Sequence, residues 1–105
     1  MSLEGLEKDI QKWGKDKGIL TDEPKTTDRC LAQYFKTEEE TQELFDAIVV
    51  DNLEELRDAI GDIIVTLIMQ TSLWGITLEE CVQQAYDVIT KRTGKMIDGV
   101  FVKDE

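Results

Sequence analysis

Apolar residues recur at steps of three and four along most of the chain, a spacing that predicts amphipathic α-helices. The first series consists of Leu3, Leu6, Ile10 and Trp13. Gly14 or Gly18 can end this helix, because glycine favours the backbone conformation found just beyond a helix C-terminus. The segment from residue 19 to residue 27 holds the only proline and predicts a loop.

Two longer helices are predicted next. One runs over about residues 27–50, and the other begins after Asp51 or Asn52, either of which can cap it. Gly75 ends the third helix. The apolar positions of the second helix are Leu31, Tyr34, Phe35, Leu44 and Ile48. Those of the third are Leu53, Leu56, Ile60, Ile63, Ile64 and Leu67.

The last third of the chain predicts a fourth helix and a different kind of tail. The sequence T-L-E-E at residues 77–80 has capping-box spacing and opens a helix through about Arg92. Asp98-Gly99 then separates two short apolar runs, which predicts a two-stranded hairpin or an extended arm. The fold class is therefore all-α, a four-helix-bundle type with a short C-terminal hairpin or arm.

The length of 105 residues predicts one domain over residues 1–105, with residues 94–105 as its tail. Residues 1–3 are compatible with a remnant of expression cloning and carry no functional weight. Such long amphipathic helices in so short a chain predict that self-association completes the core.

Composition removes several classes of function. The formal net charge of -11 argues against binding to duplex nucleic acid, and no apolar run approaches the roughly 20 residues of a membrane span. There is no histidine and no C-x-x-C spacing, which excludes common zinc sites and histidine-based triads. We expect Cys30 and Cys81 to be reduced and buried in an intracellular, cytoplasmic protein.

Acidic residues concentrate in one region, and some of them face inward. Residues 38–62 hold ten acids and one base. Glu40 lies within about 40° of Leu44 and Ala47 around a helix, and Glu43 is on the neighbouring side of that strip. Two carboxylates thus share a face with small and apolar side chains, which a purely solvated acidic face would not do.

The third helix carries a matching acidic stripe that includes Asp58 and Asp62. Beyond Asp62 the stripe becomes apolar, so this aspartate stands at the mouth of a buried region. Facing carboxylates repel unless a cation neutralises them, and all-oxygen ligation selects Mg²⁺, Mn²⁺ or Ca²⁺. The alternative is an acidic face that is simply solvated.

One segment resembles a known family signature. The sequence K-T-E-E-E-T-Q-E-L at residues 36–44 resembles the K-x-x-E-E-x-x-E-L motif of MazG-like nucleotide pyrophosphohydrolases. Residues 56–63 fall where that family carries its second motif, E-x-x-D followed by apolar residues. The tail is similar to short members from bacteriophages and Gram-positive bacteria, and the resemblance spans about residues 13–103.

The resemblance implies an all-α four-helix arrangement and hydrolysis of a (deoxy)nucleoside triphosphate between the α and β phosphates. The products are a monophosphate and pyrophosphate, with Mg²⁺ as cofactor and Mn²⁺ as an alternative. By position it implies Glu40, Glu43 and Asp62 as metal ligands, with Glu39 and Glu40 as the catalytic acids. It also implies a homodimer or homotetramer in the cytoplasm of a bacterial cell or of a phage-infected host.

One position departs from the family pattern. The glutamate of E-x-x-D would fall at Ala59, which cannot bind a metal. Asp58 lies about 40° from Asp62 around the helix and is the candidate substitute. If Asp58 does not replace the missing ligand, the metal set is incomplete.

The remaining candidates would bind the substrate. Lys36, Arg92 and Lys95 are the bases best placed to grip the outer phosphates, and surface solubility is the alternative role of each. Trp13 can stack on a base or belong to the core. Two functions without catalysis stay open, namely a protein-interaction module that uses the acidic face and a nucleotide sensor.

Overall fold

The computed structural model describes residues 2–105, and it contains four α-helices followed by an antiparallel hairpin. The four predicted helices are thus confirmed. Of the two alternatives predicted for the tail, the hairpin is the one that is present. The elements are α1 (Leu3–Asp16), α2 (Thr27–Val49), α3 (Leu53–Leu73), α4 (Leu78–Ile89), β1 (Gly94–Ile97) and β2 (Val100–Lys103).

Each helix begins at a polar residue whose side chain accepts a hydrogen bond from a backbone N–H of the first turn. These capping residues are Ser2, Thr26, Asn52 and Thr77. Of the two residues predicted as possible caps for α3, Asn52 is the cap, whereas Asp51 has φ 56° in the tight α2–α3 turn. Thr77 and Glu80 form the predicted capping box.

The two glycines near the end of α1 have different roles. Gly18, with φ +81°, follows the helix and belongs to the turn. Gly14 lies buried inside α1, and a Cβ there would come within 2.6 Å of the Met69 sulfur. Gly14 therefore lets α1 cross closely over α3, next to the small core of Leu20, Ile68 and Met69.

Helices α2 and α3 form the main packed pair. Ala47 and Ala59 are 1% and 2% exposed, and the small side chains allow the two backbones to approach closely. The hydroxyls of Thr37 and Thr66 are hydrogen-bonded at 2.8 Å. This antiparallel pair is the frame on which the acidic residues are placed.

A buried carboxylate links α1 to the start of α4. Glu7 is only 6% exposed, and its two oxygens accept hydrogen bonds from the backbone N–H groups of Leu78 and Glu79. The negative charge also suits the positive end of the helix dipole. Nothing in the local sequence of Glu7 indicates this role, since its partners lie more than 70 residues away.

The C-terminal quarter packs little against the rest of the chain. Every residue from Glu79 to Glu105 is exposed, so α4 does not close a four-helix bundle within one copy. The radius of gyration is 16.1 Å, whereas a compact domain of this length has about 13 Å. Cys81 is exposed and Cys30 partly buried, so the expectation of buried cysteines is wrong for Cys81.

Within residues 2–105, no helix taken alone has the length and hydropathy of a membrane span. Only α3 and α4 considered together reach that composition, and they are bent by 101° relative to each other.

We predict that Glu7→Gln lowers the free energy of unfolding by about 1–2 kcal/mol. The substitution removes the negative charge at the start of α4 and one of the two oxygens that accept backbone hydrogen bonds there. Chemical denaturation followed by circular dichroism measures the change. Glu4→Gln is the matched control, since Glu4 lies one turn earlier and is exposed. Equal stability of the two variants would show that the Glu7 cap contributes nothing.

Candidate metal centre

Three carboxylates from two helices meet at the α2–α3 contact. Glu40 and Glu43 lie one turn apart on α2, and Asp62 faces them from α3. One carboxylate oxygen from each residue lies within 4.8 Å of the others. The structure therefore brings together three of the four residues predicted as metal ligands.

Glu40 is the buried member of this cluster. The residue is 8% exposed, and its Oε2 atom is buried without a hydrogen-bond partner among the described residues. A buried carboxylate oxygen that lacks a partner is costly, so such an atom calls for a partner from outside the protein chain, such as an ion or a water molecule. An exposed acidic cluster has no comparable orphaned atom, which distinguishes this site from a solvated acidic face.

The surroundings of Glu40 disfavour its negative charge. The adjacent Glu43 carboxylate, the burial of Glu40 and the charge of Asp62 raise the pKa of Glu40 to about 7, against the weaker opposing effect of Lys36. Without a cation, repulsion among the three carboxylates is therefore only partly compensated by nearby positive charge.

The cluster opens into a cleft between α1, α2 and α3. The cleft has a volume of about 370 Å³, and its lining includes Glu40, Asp62, Lys36 and Trp13. Trp13 is 45% exposed, so part of its side chain is accessible from solvent. Two residues predicted to contact substrate thus share a cleft with two predicted metal ligands.

Lys36 and Glu39 lie at the rim of the cleft. The Lys36 Nζ atom is 3.4 Å from a Glu39 oxygen and 3.9 Å from Glu40 Oε1. Glu39 is exposed and is not one of the three clustered acids. Its printed contact is with Lys36, which itself lines the cleft, so Glu39 borders the site through this lysine.

The other predicted residues lie elsewhere. Asp58 is exposed and outside the cluster, because α3 turns the neighbouring Ala59 toward α2. Its role as a substitute ligand stays a prediction that no contact supports. Arg92 and Lys95 are exposed next to and within the C-terminal hairpin, and neither lines the cleft.

Gln33 is a cleft residue that the sequence interpretation missed. It precedes Glu40 by seven residues, which places both on one face of α2. This seven-residue spacing could have identified Gln33 as a neighbour of Glu40 from the sequence alone. A neutral amide stands out less than an acid in such a pattern, although it can donate and accept hydrogen bonds.

The arrangement suits a hard divalent cation. The three side chains offer only oxygen atoms, and they project from two helices that pack directly against each other. Oxygen ligation favours Mg²⁺ or Mn²⁺ over softer ions. The open side of the cleft leaves room for a ligand that brings its own oxygen atoms.

Comparison with known proteins adds a family assignment. The family model described as the MazG nucleotide pyrophosphohydrolase domain matches residues 29–97 of the 105. This range contains all three clustered carboxylates. No curated protein and no solved structure matches the chain.

We predict a specific pH dependence for the metal-free protein. The pKa of Glu40 is raised from 4.5 to about 7, so the folded state binds more protons than the unfolded state between these values. The free energy of unfolding therefore falls as pH rises from about 4.5 to 7, by up to about 3 kcal/mol from this group. Above pH 7 its contribution is constant.

Denaturation in EDTA at several pH values, for wild type and Glu40→Gln, isolates this contribution from that of the other acids. The wild type should lose more stability across this pH window than the variant does. Parallel curves for the two proteins would contradict the raised pKa.

We also predict that Mg²⁺ or Mn²⁺ raises the melting temperature above that in a monovalent salt of equal ionic strength, because the cation binds only the folded state. Differential scanning calorimetry measures this, and Asp62→Asn should reduce the gain. The same melting temperature in both salts would argue against a specific site.

Proposed function

The chain belongs to the MazG nucleotide pyrophosphohydrolase family, and we propose that it hydrolyses a (deoxy)nucleoside triphosphate between the α and β phosphates. The products are a nucleoside monophosphate and pyrophosphate. The observation that supports this most directly is the orphaned, buried oxygen of Glu40 inside a three-carboxylate cluster. Such a site accepts a triphosphate only together with a cation, since both are negatively charged.

Glu40, Glu43 and Asp62 would hold the divalent cation. A Mg²⁺ ion held there would neutralise charge on the phosphoryl oxygens and would increase the acidity of a water molecule. The helices hold the three carboxylates in place before any ligand arrives, so little reorganisation is needed during the reaction.

Glu39 is proposed as the residue that orients the attacking water and accepts its proton. The water oxygen would form a bond to one of the two phosphorus atoms that flank the α–β bridging oxygen, while the bond from that phosphorus to the bridging oxygen breaks. The bridging oxygen leaves with the other fragment, so the products are the nucleoside monophosphate and pyrophosphate. Glu39 is exposed at the cleft rim, and Lys36 lies 3.4 Å from it. In this proposal Lys36 would both hold the Glu39 carboxylate and bind a phosphate oxygen.

Trp13 is proposed to contact the nucleobase. Its half-exposed ring lines the same cleft as Glu40 and Asp62. Stacking on an aromatic ring tolerates different bases, because every base has a π face. Stacking on this ring would bind a base without selecting one base over another.

A sensor that binds triphosphate without turnover is the second candidate. The departure at Ala59 favours it, since this residue is 2% exposed and offers no ligand atom. A panel of nucleoside and deoxynucleoside triphosphates with Mg²⁺, scored for pyrophosphate, separates the two. A sensor would bind a nucleotide in calorimetry and release no pyrophosphate.

We predict that Glu40→Gln and Asp62→Asn each reduce pyrophosphate release by more than about 100-fold, because a lost ligand costs more than the 10–100-fold of a supporting residue. Glu54→Gln is the matched control, since it makes the same chemical change as Glu40→Gln at an exposed position of α3 outside the cluster. We expect it to keep wild-type turnover and the same Mg²⁺ titration.

Full activity in either of the first two variants at limiting Mg²⁺ would remove that residue from the ligand set. A loss in Asp58→Asn as large as in Asp62→Asn would instead make Asp58 a fourth ligand.

A further inference from the structure

A second cavity, which we call the loop cavity, borders the loop between α1 and α2. Its volume is about 310 Å³, within the range of about 300–1,000 Å³ that is usual for small-molecule sites. Leu20 of the loop lines this cavity, whereas the preceding residue, Ile19, lines the acidic cleft. Among residues 2–105 the two cavities share no lining residue. The loop cavity is therefore separate from the metal centre, although one loop contributes to both.

The lining of the loop cavity has more bases than acids, in a chain of the opposite composition. Its charged residues are Lys15, Lys25, Arg29 and a single acid, Glu23. Acids outnumber bases by 23 to 12 in the whole chain. Even so, none of these three bases forms an ion pair with any other of the described residues. The positive charge at this cavity is thus only partly compensated by the chain itself.

Arg29 is the best-positioned of the three bases. Its guanidinium donates hydrogen bonds to the backbone carbonyl oxygens of Ile19 and Pro24, both at 3.3 Å, and so holds the loop against the start of α2. A guanidinium has five N–H groups, so these two bonds leave donors for a ligand. The residue is partly buried, and a partly buried charge without a counter-ion is unfavourable. An anion in the cavity would supply that counter-ion.

The two lysines approach the cavity from different elements. Lys15 lies in the last turn of α1, and Lys25 belongs to the loop. The Lys25 Nζ atom lies 4.1 Å from the centre of the Trp74 ring, and this cation–π contact restricts where the ammonium group can move. Positive side chains from α1, the loop and α2 therefore surround one cavity.

We propose that the loop cavity binds a small molecule through a phosphate group. A phosphate monoester carries about -1.5 to -2 charges at neutral pH, which matches three bases and one acid better than the single charge of a carboxylate does. A guanidinium can donate two parallel hydrogen bonds to phosphate oxygens, and ammonium groups add further donors. This site needs no metal ion, and it does not rest on the proposed function.

Calorimetric titration in EDTA tests the site, because the acidic centre without a metal repels a phosphate. The probes are inorganic phosphate, pyrophosphate and ribose 5-phosphate, which lacks a base that could stack on Trp13. Sodium chloride of equal ionic strength is the baseline. We expect binding at one site per chain, and the tightest probe shows whether the phosphate group alone or an attached sugar is recognised. The absence of binding for all three probes at millimolar concentrations would overturn the proposal.

A charge-matched pair of variants locates the binding. Lys15→Gln combined with Lys25→Gln should weaken binding by at least about 10-fold, since a hydrogen bond to a charged group contributes about that much. Arg29 stays intact because it also holds the loop. Lys8→Gln combined with Lys12→Gln removes the same charge from ion-paired lysines of α1 and should leave the affinity unchanged. Equal affinities of the two double variants would reduce the effect to net charge and overturn the proposal.

Two further measurements do not depend on a loss of binding. Glu23→Gln removes the one acid of the lining, so we expect about 2–5-fold tighter binding, which a folding defect cannot produce. In ¹H–¹⁵N spectra of the wild type, phosphate should shift the amide signals of residues 19–29 and 72–77. Shifts confined to residues 36–62 would place the phosphate at the acidic centre and overturn the proposal. If the loop cavity binds phosphate while the protein releases no pyrophosphate from any triphosphate, the proposed function fails and this site stands.

Discussion

The close approach of α2 and α3 is the contact on which the rest of the molecule depends. Ala47 and Ala59 leave almost no side-chain volume between the two backbones, and the Thr37–Thr66 hydrogen bond of 2.8 Å joins them near the cleft. This spacing brings the carboxylates of α2 within reach of Asp62. A larger residue at either alanine would push the two helices apart and so separate the acids, although it would not touch the carboxylates themselves.

The α2–α3 contact also lowers the stability of the protein, because it holds Glu40 in an unfavourable environment. Packing holds Glu40 where neighbouring acids and burial oppose its ionisation, and one of its oxygens has no partner among the described residues. Stability would be greater with an apolar residue there. An unfavourable charge held in place by favourable packing is what a preorganised cation site requires, because the cation then finds its ligands already assembled.

Most of the fold could be predicted from the sequence, because its helices are strongly periodic and their caps are local signals. The convergence of Glu40, Glu43 and Asp62 also followed from helical spacing. Only Glu40 is buried, whereas Asp62 is partly buried and Glu43, which was expected to share the inward face, is exposed. Local spacing does not determine how far α3 rotates about its own axis. That rotation turns Ala59, and not Asp58, toward α2. The exposure of Cys81 was missed because the periodicity of α4 does not determine whether its apolar face packs against the rest of the chain.

The bond between Glu7 and the start of α4 has a consequence for how the chain acquires its structure. The α2–α3 hairpin rests on contacts between neighbouring segments and can form early, whereas the Glu7 carboxylate meets Leu78 across 71 residues. Contacts of such long sequence separation carry a larger loop-closure entropy and form late in folding. During synthesis the contact of Glu7 with Leu78 therefore cannot form until the start of α4 has left the ribosome. The contact between α1 and the start of α4 then forms after the α2–α3 pair, which carries the acidic residues.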